Sequence, residues 1–228
     1  MASLISLAKT LLPEASVSLP ILRGPFRGGR FFSSPQVSLR KVFGLYEAEL
    51  NPWIARAMRR ADLVFDVGAN DGYFTFGCAA AMKRQRKSVR IVSFEPLLNH
   101  VQQLEMARSL AGFTAAEIEI VPKLVGRQAG PDMVTLDMFA QRLSSAYAPL
   151  IKIDVEGAEI DVLDGASRWL SPRTMLLIEV HKSEYLDEIP RRLAGSIGPL
   201  DRVYQKALPL LGREQREEAN WWLLSRLV

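Results

Sequence analysis

The sequence predicts an α/β fold, a doubly wound and mostly parallel sheet with helices on both faces. Three observations carry this expectation. Strand-like and helical runs alternate from Leu63 onward. An apolar strand runs straight into a glycine turn and a helix in Leu63 to Thr75, LVFDVGANDGYFT. A second apolar strand, in VRIVSFEP, also ends in an acid. Such alternation joins parallel strands through right-handed crossovers and places a ligand crevice at their carboxyl ends.

The glycine turn has the features of a nucleotide site. Gly68 and Gly72 lack a Cβ, so a ligand can approach the backbone, and the N–H groups opening the next helix have no intrahelical partner. Asn70 tolerates the left-handed conformation that such turns demand. The pattern is D-x-G-x-N-x-G, led by Asp66. It lacks the third glycine of the dinucleotide fingerprint and the lysine of a phosphate loop, which disfavours a nicotinamide-dependent dehydrogenase. Glu95, ending the neighbouring strand, is placed to accept two hydrogen bonds from a ribose with free hydroxyls.

A chain of 228 residues, 48% hydrophobic and 24% charged, suits one large domain with an N-terminal extension. The division expected is residues 1–43 as a helix and extended arm and residues 44–228 as the main domain. The single cysteine, Cys78, forms no disulfide within the chain and reads as a small buried residue in a reducing, cytoplasmic setting. No apolar run approaches the roughly twenty residues that span a bilayer. The net charge of +4 comes mostly from dispersed arginines. These suit a solvated surface, an anionic substrate or peripheral membrane contact; without interleaved aromatics or a basic stripe they do not favour nucleic acid.

Residues 1–12, MASLISLAKTLL, have helical apolar spacing suited to lying on a membrane or on the protein. With no strongly charged start and no clear small-residue cleavage site, they do not read as a cleaved signal. Prolines, glycines and serines from Pro13 to Pro35 break regular structure and suggest an extended arm that shapes a substrate entrance. Leu45 to Arg60 is a helix, with Asn51 as cap before Pro52. Glu47 and Glu49 are either solvated acids at its start or groups that reach the ligand. Helices follow at Tyr73 to Arg86 and at Leu97 to Leu110, the latter with Leu104 and Leu110 inward, and a strand at Ile118 to Val121. Thr135 to Leu143 is a short amphipathic helix in which Asp137 serves structure.

Leu150 to Ala166, LIKIDVEGAEIDVLDGA, is the second informative stretch. Ile151 and Ile153 form a buried strand, Asp154 stands at its carboxyl end, and Glu156, Gly157 and Glu159 open a helix. The dipole accounts for Glu156 and Glu159, but not for Asp154, which faces the same crevice as Asp66 and Glu95. Met175 to His181 is a fifth strand whose Glu179 and His181 alternate to one face. Two further runs, Asp201 to Ala207 and Asn220 to Val228, flank a loop with Pro209 and Gly212 and bring the strand count to seven. At least one of Trp221 and Trp222 packs on the sheet.

FDVGANDGYFT, FEP, TLD, LIKIDVEGAE and IEVH occur here in the order and spacing of the FkbM-type S-adenosylmethionine-dependent methyltransferases, which the chain resembles from Gly44 to His181. The resemblance implies the Rossmann-like class I methyltransferase fold, a seven-stranded sheet with its last strand antiparallel. It also implies that Asp66, Gly68, Asn70 and Gly72 hold the methionine end of S-adenosyl-L-methionine and Glu95 the ribose, with Ala69 and Pro96 beside them. About a dozen residues separate Val125 from Asp137, where family members often carry a longer insert. The activity implied is O-methylation of a hydroxyl on a sugar, glycolipid or related metabolite. The alternatives are an N-methyltransferase and a non-catalytic cofactor-binding module. Asp154, Glu156, Glu179 and His181 are the groups available to take the acceptor's proton. The same acids could instead hold a divalent cation such as magnesium, and the sequence does not separate the two.

Overall fold

Leu63–Val67, the strand that feeds the glycine turn, is buried at every position and lies inside a seven-stranded sheet. The structure, a computed structural model, describes residues 15–143, 147–208 and 220–227. The segment expected at residues 1–12 and the loop carrying Pro209 and Gly212 lie outside the described residues.

In chain order the elements are β1 (Val17–Pro20), β2 (Arg30–Ser33), α1 (Pro35–Val42), α2 (Asn51–Arg60), β3 (Leu63–Val67), α3 (Tyr73–Arg84), β4 (Ile91–Phe94), α4 (Leu98–Leu110) and β5 (Ile118–Val121). Then come β6 (Leu124–Val125), β7 (Met133–Val134), β8 (Pro149–Ile153), α5 (Glu159–Asp164), β9 (Met175–Val180), α6 (Tyr185–Leu193), β10 (Leu200–Tyr204) and β11 (Trp221–Ser225). Short 3-10 turns occupy Ala48–Leu50 and Leu136–Gln141. The sheet order is β10-β11-β9-β8-β3-β4-β5. Strands β3, β4, β5, β8 and β9 pair in parallel, and β11 runs antiparallel to both β9 and β10. The expected doubly wound fold, with its last strand antiparallel, is borne out.

Alternation along the strands divides the core in two. Leu63, Phe65 and Val67 pack with Ile151, Ile153 and Trp169 on one face, while Val64 and Leu150 join the other. Asp66 shares that second face and is in register with Ser93 on β4 and Lys152 on β8. Three neighbouring strands therefore carry a polar row inside the sheet, against α3. Trp222 is fully buried, and the Trp221 ring lies tilted against Tyr204 with ring centroids 4.5 Å apart.

Three local expectations change. The stretch read as an extended arm forms an antiparallel hairpin, β1 with β2, and Ile21, Phe26, Phe31 and Phe32 are built into the core. Phe26 meets Tyr73 and Phe74 edge-on at 5.4 and 5.3 Å. It fits because α3 carries Gly77 there; a Cβ on Gly77 would lie 2.4 Å from the Phe26 ring. Asn51 is the first residue of α2 rather than its cap, and its side-chain amide donates to the Gly44 carbonyl at 3.1 Å. Leu110 is 68% exposed whereas Leu104 is fully buried. Six residues turn a helix by about 240°, so the two cannot share a face.

No helix among the described residues is long and apolar enough to cross a membrane.

Candidate active site

The order of strands reverses around β3: β4 and β5 extend to one side, β8 and β9 to the other. At such a switch point the strand ends diverge and open a crevice. Gly68 follows β3 and Asp154 follows β8, and the two backbones nearly touch. A Cβ on Gly68, whose φ is +80°, would lie 1.9 Å from the Asp154 carbonyl oxygen. The close approach of β8 is thus sufficient reason for glycine here. Asn70 adopts the left-handed conformation, with φ 49°. Its N–H donates to Glu95 Oε2 at 2.8 Å, and the Leu97 N–H donates to Oε1 at 3.0 Å. Each Glu95 oxygen therefore holds one backbone donor and keeps a second lone pair for a ligand.

A cleft of about 490 Å³ runs past Gly68, Asn70, Glu95, Pro96, Val125 and Asp154. The short parallel pair β6 and β7 supplies further lining through Leu124 and Met133. A second, smaller cavity of about 50 Å³ is bordered by Phe26, Lys41, Tyr46, Glu47 and Ala69. Gly68, Asn70 and Asp154 border both spaces. Lys41 pairs with Asp71 at 2.6 Å and lies 4.9 Å from the centre of the Tyr46 ring. Of the two acids before α2, Glu47 lines the small cavity, whereas Glu49 accepts from the Lys206 N–H.

Asp66 and Gly72 line neither space. Asp66 is fully buried on the α3 face, where its Oδ2 accepts from Thr75 Oγ1 at 2.5 Å. Burial raises its pKa, against the opposing pull of Lys152 and Thr75. Gly72, with φ +83°, is where α3 packs closely: a Cβ would meet Leu104 and Phe76 within 2.8 Å. Within the turn expected to hold the cofactor, these two residues serve the packing of α3 onto the sheet.

Lys152 is the functional candidate that sequence reasoning missed. Its ammonium donates to the Gly68 carbonyl at 2.9 Å and lies 3.0 Å from Asp154 Oδ2 and 3.4 Å from Asp66 Oδ1. Burial works against its charge, but Asp154 and Asp66 outweigh it and raise its pKa above the ordinary lysine value. The signal was a lysine inside an otherwise apolar strand, LIKID, a position lysine rarely occupies unless paired.

Asp154, Glu179 and His181 converge, with one donor atom from each lying within 4.8 Å of the others. His181 Nδ1 is 2.6 Å from Oε1 of Glu159, a residue with no exposed surface, and Nε2 is 3.8 Å from Asp154 Oδ1. Burial lowers the His181 pKa, but Glu159, Glu179 and Asp154 more than offset it, so the net shift is upward. Glu159 also accepts from the His181 N–H at 3.3 Å. It is a buried anchor for the histidine, a role the helix dipole alone did not suggest. Glu156 is not brought to this group: it is exposed and lines the wide cleft.

Sheet order, switch point and glycine turn together define a class I S-adenosylmethionine-dependent methyltransferase fold. A SAM-dependent methyltransferase from Agrobacterium tumefaciens aligns over 94% of this chain and 70% of its own, with TM-score 0.56 and 13% identity. The C-terminal domain of precorrin-6Y C5,15-methyltransferase from Rhodobacter capsulatus aligns over 78% and 86%, with TM-score 0.51 and 17% identity. More particularly, residues 124–205, a stretch of this chain that includes IKIDVEGAE and IEVH, match the Methyltransferase FkbM domain. Methyltransferase FkbM from Methylobacillus flagellatus aligns over 72% of this chain, with TM-score 0.53 and 20% identity. This chain spans 43% of that protein's length. The resemblance to FkbM-type methyltransferases read from the sequence therefore holds. No curated protein matches significantly.

Proposed function

We propose that this chain transfers a methyl group from S-adenosylmethionine to a hydroxyl of a sugar, glycolipid or related metabolite, in the cytoplasm. The observation that carries the reading is the position of Asp154, whose residue borders both the wide cleft and the small cavity beside it.

The wide cleft is a fit for the cofactor. Its volume of about 490 Å³ is within the range of ligand pockets, and Glu95 on its wall retains lone pairs for two hydroxyls. Gly68, Asn70, Glu95 and Pro96 would hold the nucleoside, and Ala69 and Lys152 border the adjoining space. When bound, S-adenosylmethionine supplies an electrophilic methyl on a sulfonium. Displacement at such a centre needs alignment above all, so holding donor and acceptor at the junction of the two spaces accounts for much of the rate.

A hydroxyl acceptor must also lose a proton. Asp154 is the acid that reaches the junction, and Lys152 at 3.0 Å holds one of its oxygens in place while the other faces His181. His181 Nε2 lies 3.8 Å from Asp154 Oδ1 and its Nδ1 is held by Glu159, so the ring is placed to orient Asp154. Lys41 and Glu47, which border the small cavity beside Tyr46, offer hydrogen-bonding groups of both signs to an acceptor hydroxyl at the junction.

The test is calorimetric binding of S-adenosylhomocysteine to the wild type and Glu95→Gln, followed by methyl transfer to a panel of sugars and glycolipids by wild type and Asp154→Asn. Replacing the charged acceptor weakens cofactor binding by about 1.5–3 kcal/mol, roughly tenfold to a hundredfold. Asp154→Asn removes turnover and leaves cofactor affinity within about threefold. Wild-type protein that binds no S-adenosylhomocysteine, or full turnover by Asp154→Asn, overturns the reading.

A further inference from the structure

The geometry points to a divalent transition-metal site of the Mn²⁺ type formed by Asp154, Glu179 and His181. The inference rests on the methyl-transfer reading for its use, but its binding test does not.

Three features argue for it. The first is the donor set. Two carboxylates and one imidazole present atoms within 4.8 Å of one another. Small side-chain rotations bring such atoms to about 2.1 Å from a shared centre, the range of octahedral divalent ions. A mixed oxygen and imidazole set favours Mn²⁺ or a neighbouring transition ion over magnesium, which prefers oxygen alone.

The second feature is the orientation of His181. Its Nδ1 is 2.6 Å from Glu159 Oε1, which holds the ring proton on Nδ1 and turns Nε2 toward Asp154. A carboxylate behind one ring nitrogen, with the other aimed at further ligands, is the arrangement that supports metal-bound histidines. Without a cation or a second proton at Nε2, the lone pair would face the Asp154 carboxylate at 3.8 Å. Asp154 divides its oxygens accordingly: Oδ2 is with Lys152, and Oδ1 faces the histidine.

The third is the balance of charge. Glu159 is fully buried, and its Oε2 has no hydrogen-bond partner among the described residues. Glu179 is 6% exposed. Lys152 lies between Asp66 and Asp154, and His181 Nδ1 lies against Glu159. A buried carboxylate is costly without positive charge nearby, and a divalent ion on the far side of His181 supplies it to Glu159. Placed next to the junction of the two spaces, that ion would lower the pKa of an acceptor hydroxyl and leave Asp154 as a ligand instead of the sole base.

The first measurement is an electron paramagnetic resonance titration of the full chain with Mn²⁺ alone, followed by nitrogen electron spin echo modulation on the bound ion. The expected result is one Mn²⁺ per chain and imidazole nitrogen coupling, both in wild-type protein. The chain has two histidines, His100 and His181. The coupling is expected to persist in His100→Gln and to vanish in His181→Ala. Glu179→Gln and Glu159→Gln each weaken Mn²⁺ binding at least tenfold, while S-adenosylhomocysteine binding stays within about threefold. Failure of wild-type protein to bind Mn²⁺ up to about 1 mM, binding with no nitrogen coupling, or binding indifferent to His181→Ala overturns the site. Mn²⁺ binding without S-adenosylhomocysteine binding would keep the metal site and reject the transferase reading. The reverse result would do the opposite.

Discussion

Lys152→Met removes the buried ammonium while keeping much of the apolar stem. In the wild type this group meets Asp154 Oδ2 at 3.0 Å, Asp66 Oδ1 at 3.4 Å and the Gly68 carbonyl at 2.9 Å. Asp154 can turn toward solvent, but Asp66 has no exposed surface and, among the described residues, keeps Thr75 as its donor. Removing one member of a buried pair costs about 3–5 kcal/mol. An independent bound agrees with this. The variant can protonate Asp66, which costs about 1.4 kcal/mol for each pH unit above the unfolded carboxyl value near 3.9, or about 4 kcal/mol at pH 7. Loss of the hydrogen bond to Gly68 adds roughly 1 kcal/mol.

The pH dependence has a definite sign. The Asp66 pKa is already raised by burial, and loss of Lys152 raises it further. A carboxyl whose folded pKa lies above its unfolded value loses stability as pH climbs from the unfolded toward the folded value, and regains it on acidification. Urea denaturation at pH 7 is therefore expected to show a loss of about 3–5 kcal/mol, and at pH 5 a loss of roughly 2 kcal/mol. Asp66→Asn in the same background should recover part of the loss at pH 7. A Lys152→Met protein within about 1 kcal/mol of wild type, with no dependence on pH, would refute the claim that Lys152 balances the buried carboxylates.

Gly68→Ala sets a Cβ 1.9 Å from the Asp154 carbonyl at a φ of +80°, so β3 and β8 must separate; the chain should lose several kcal/mol or fail to fold, measured by urea denaturation. Gly77→Ala places a Cβ 2.4 Å from the Phe26 ring and should cost about 1–3 kcal/mol, with faster proteolysis in the hairpin than elsewhere. A uniform cleavage pattern would argue that the hairpin is not held through that contact. Cys78 is fully buried, and burial with Asp66 nearby pushes its thiol pKa well up. It should react with a thiol reagent only as fast as the chain unfolds, and rapid labelling of native protein would contradict its position.

Much of the frame follows from local pattern. Apolar runs ending in acids specified β3 and β4, alternation specified the shared face of Glu179 and His181, and the need for a left-handed residue explained Asn70, whose φ is 49°. These properties depend on neighbours within a few positions, which periodicity and turn chemistry encode directly. What the tertiary structure decided depends on strands distant in sequence. Gly68 is glycine on account of Asp154, Lys152 finds its partner in Asp66, and Phe26 finds its gap at Gly77. Glu159 looked like an acid on a helix dipole until β9 brought His181 against it. Pairing between such remote segments is set by sheet order and register. A single sequence records which residues can be buried together, and only the folded sheet determines which of them meet.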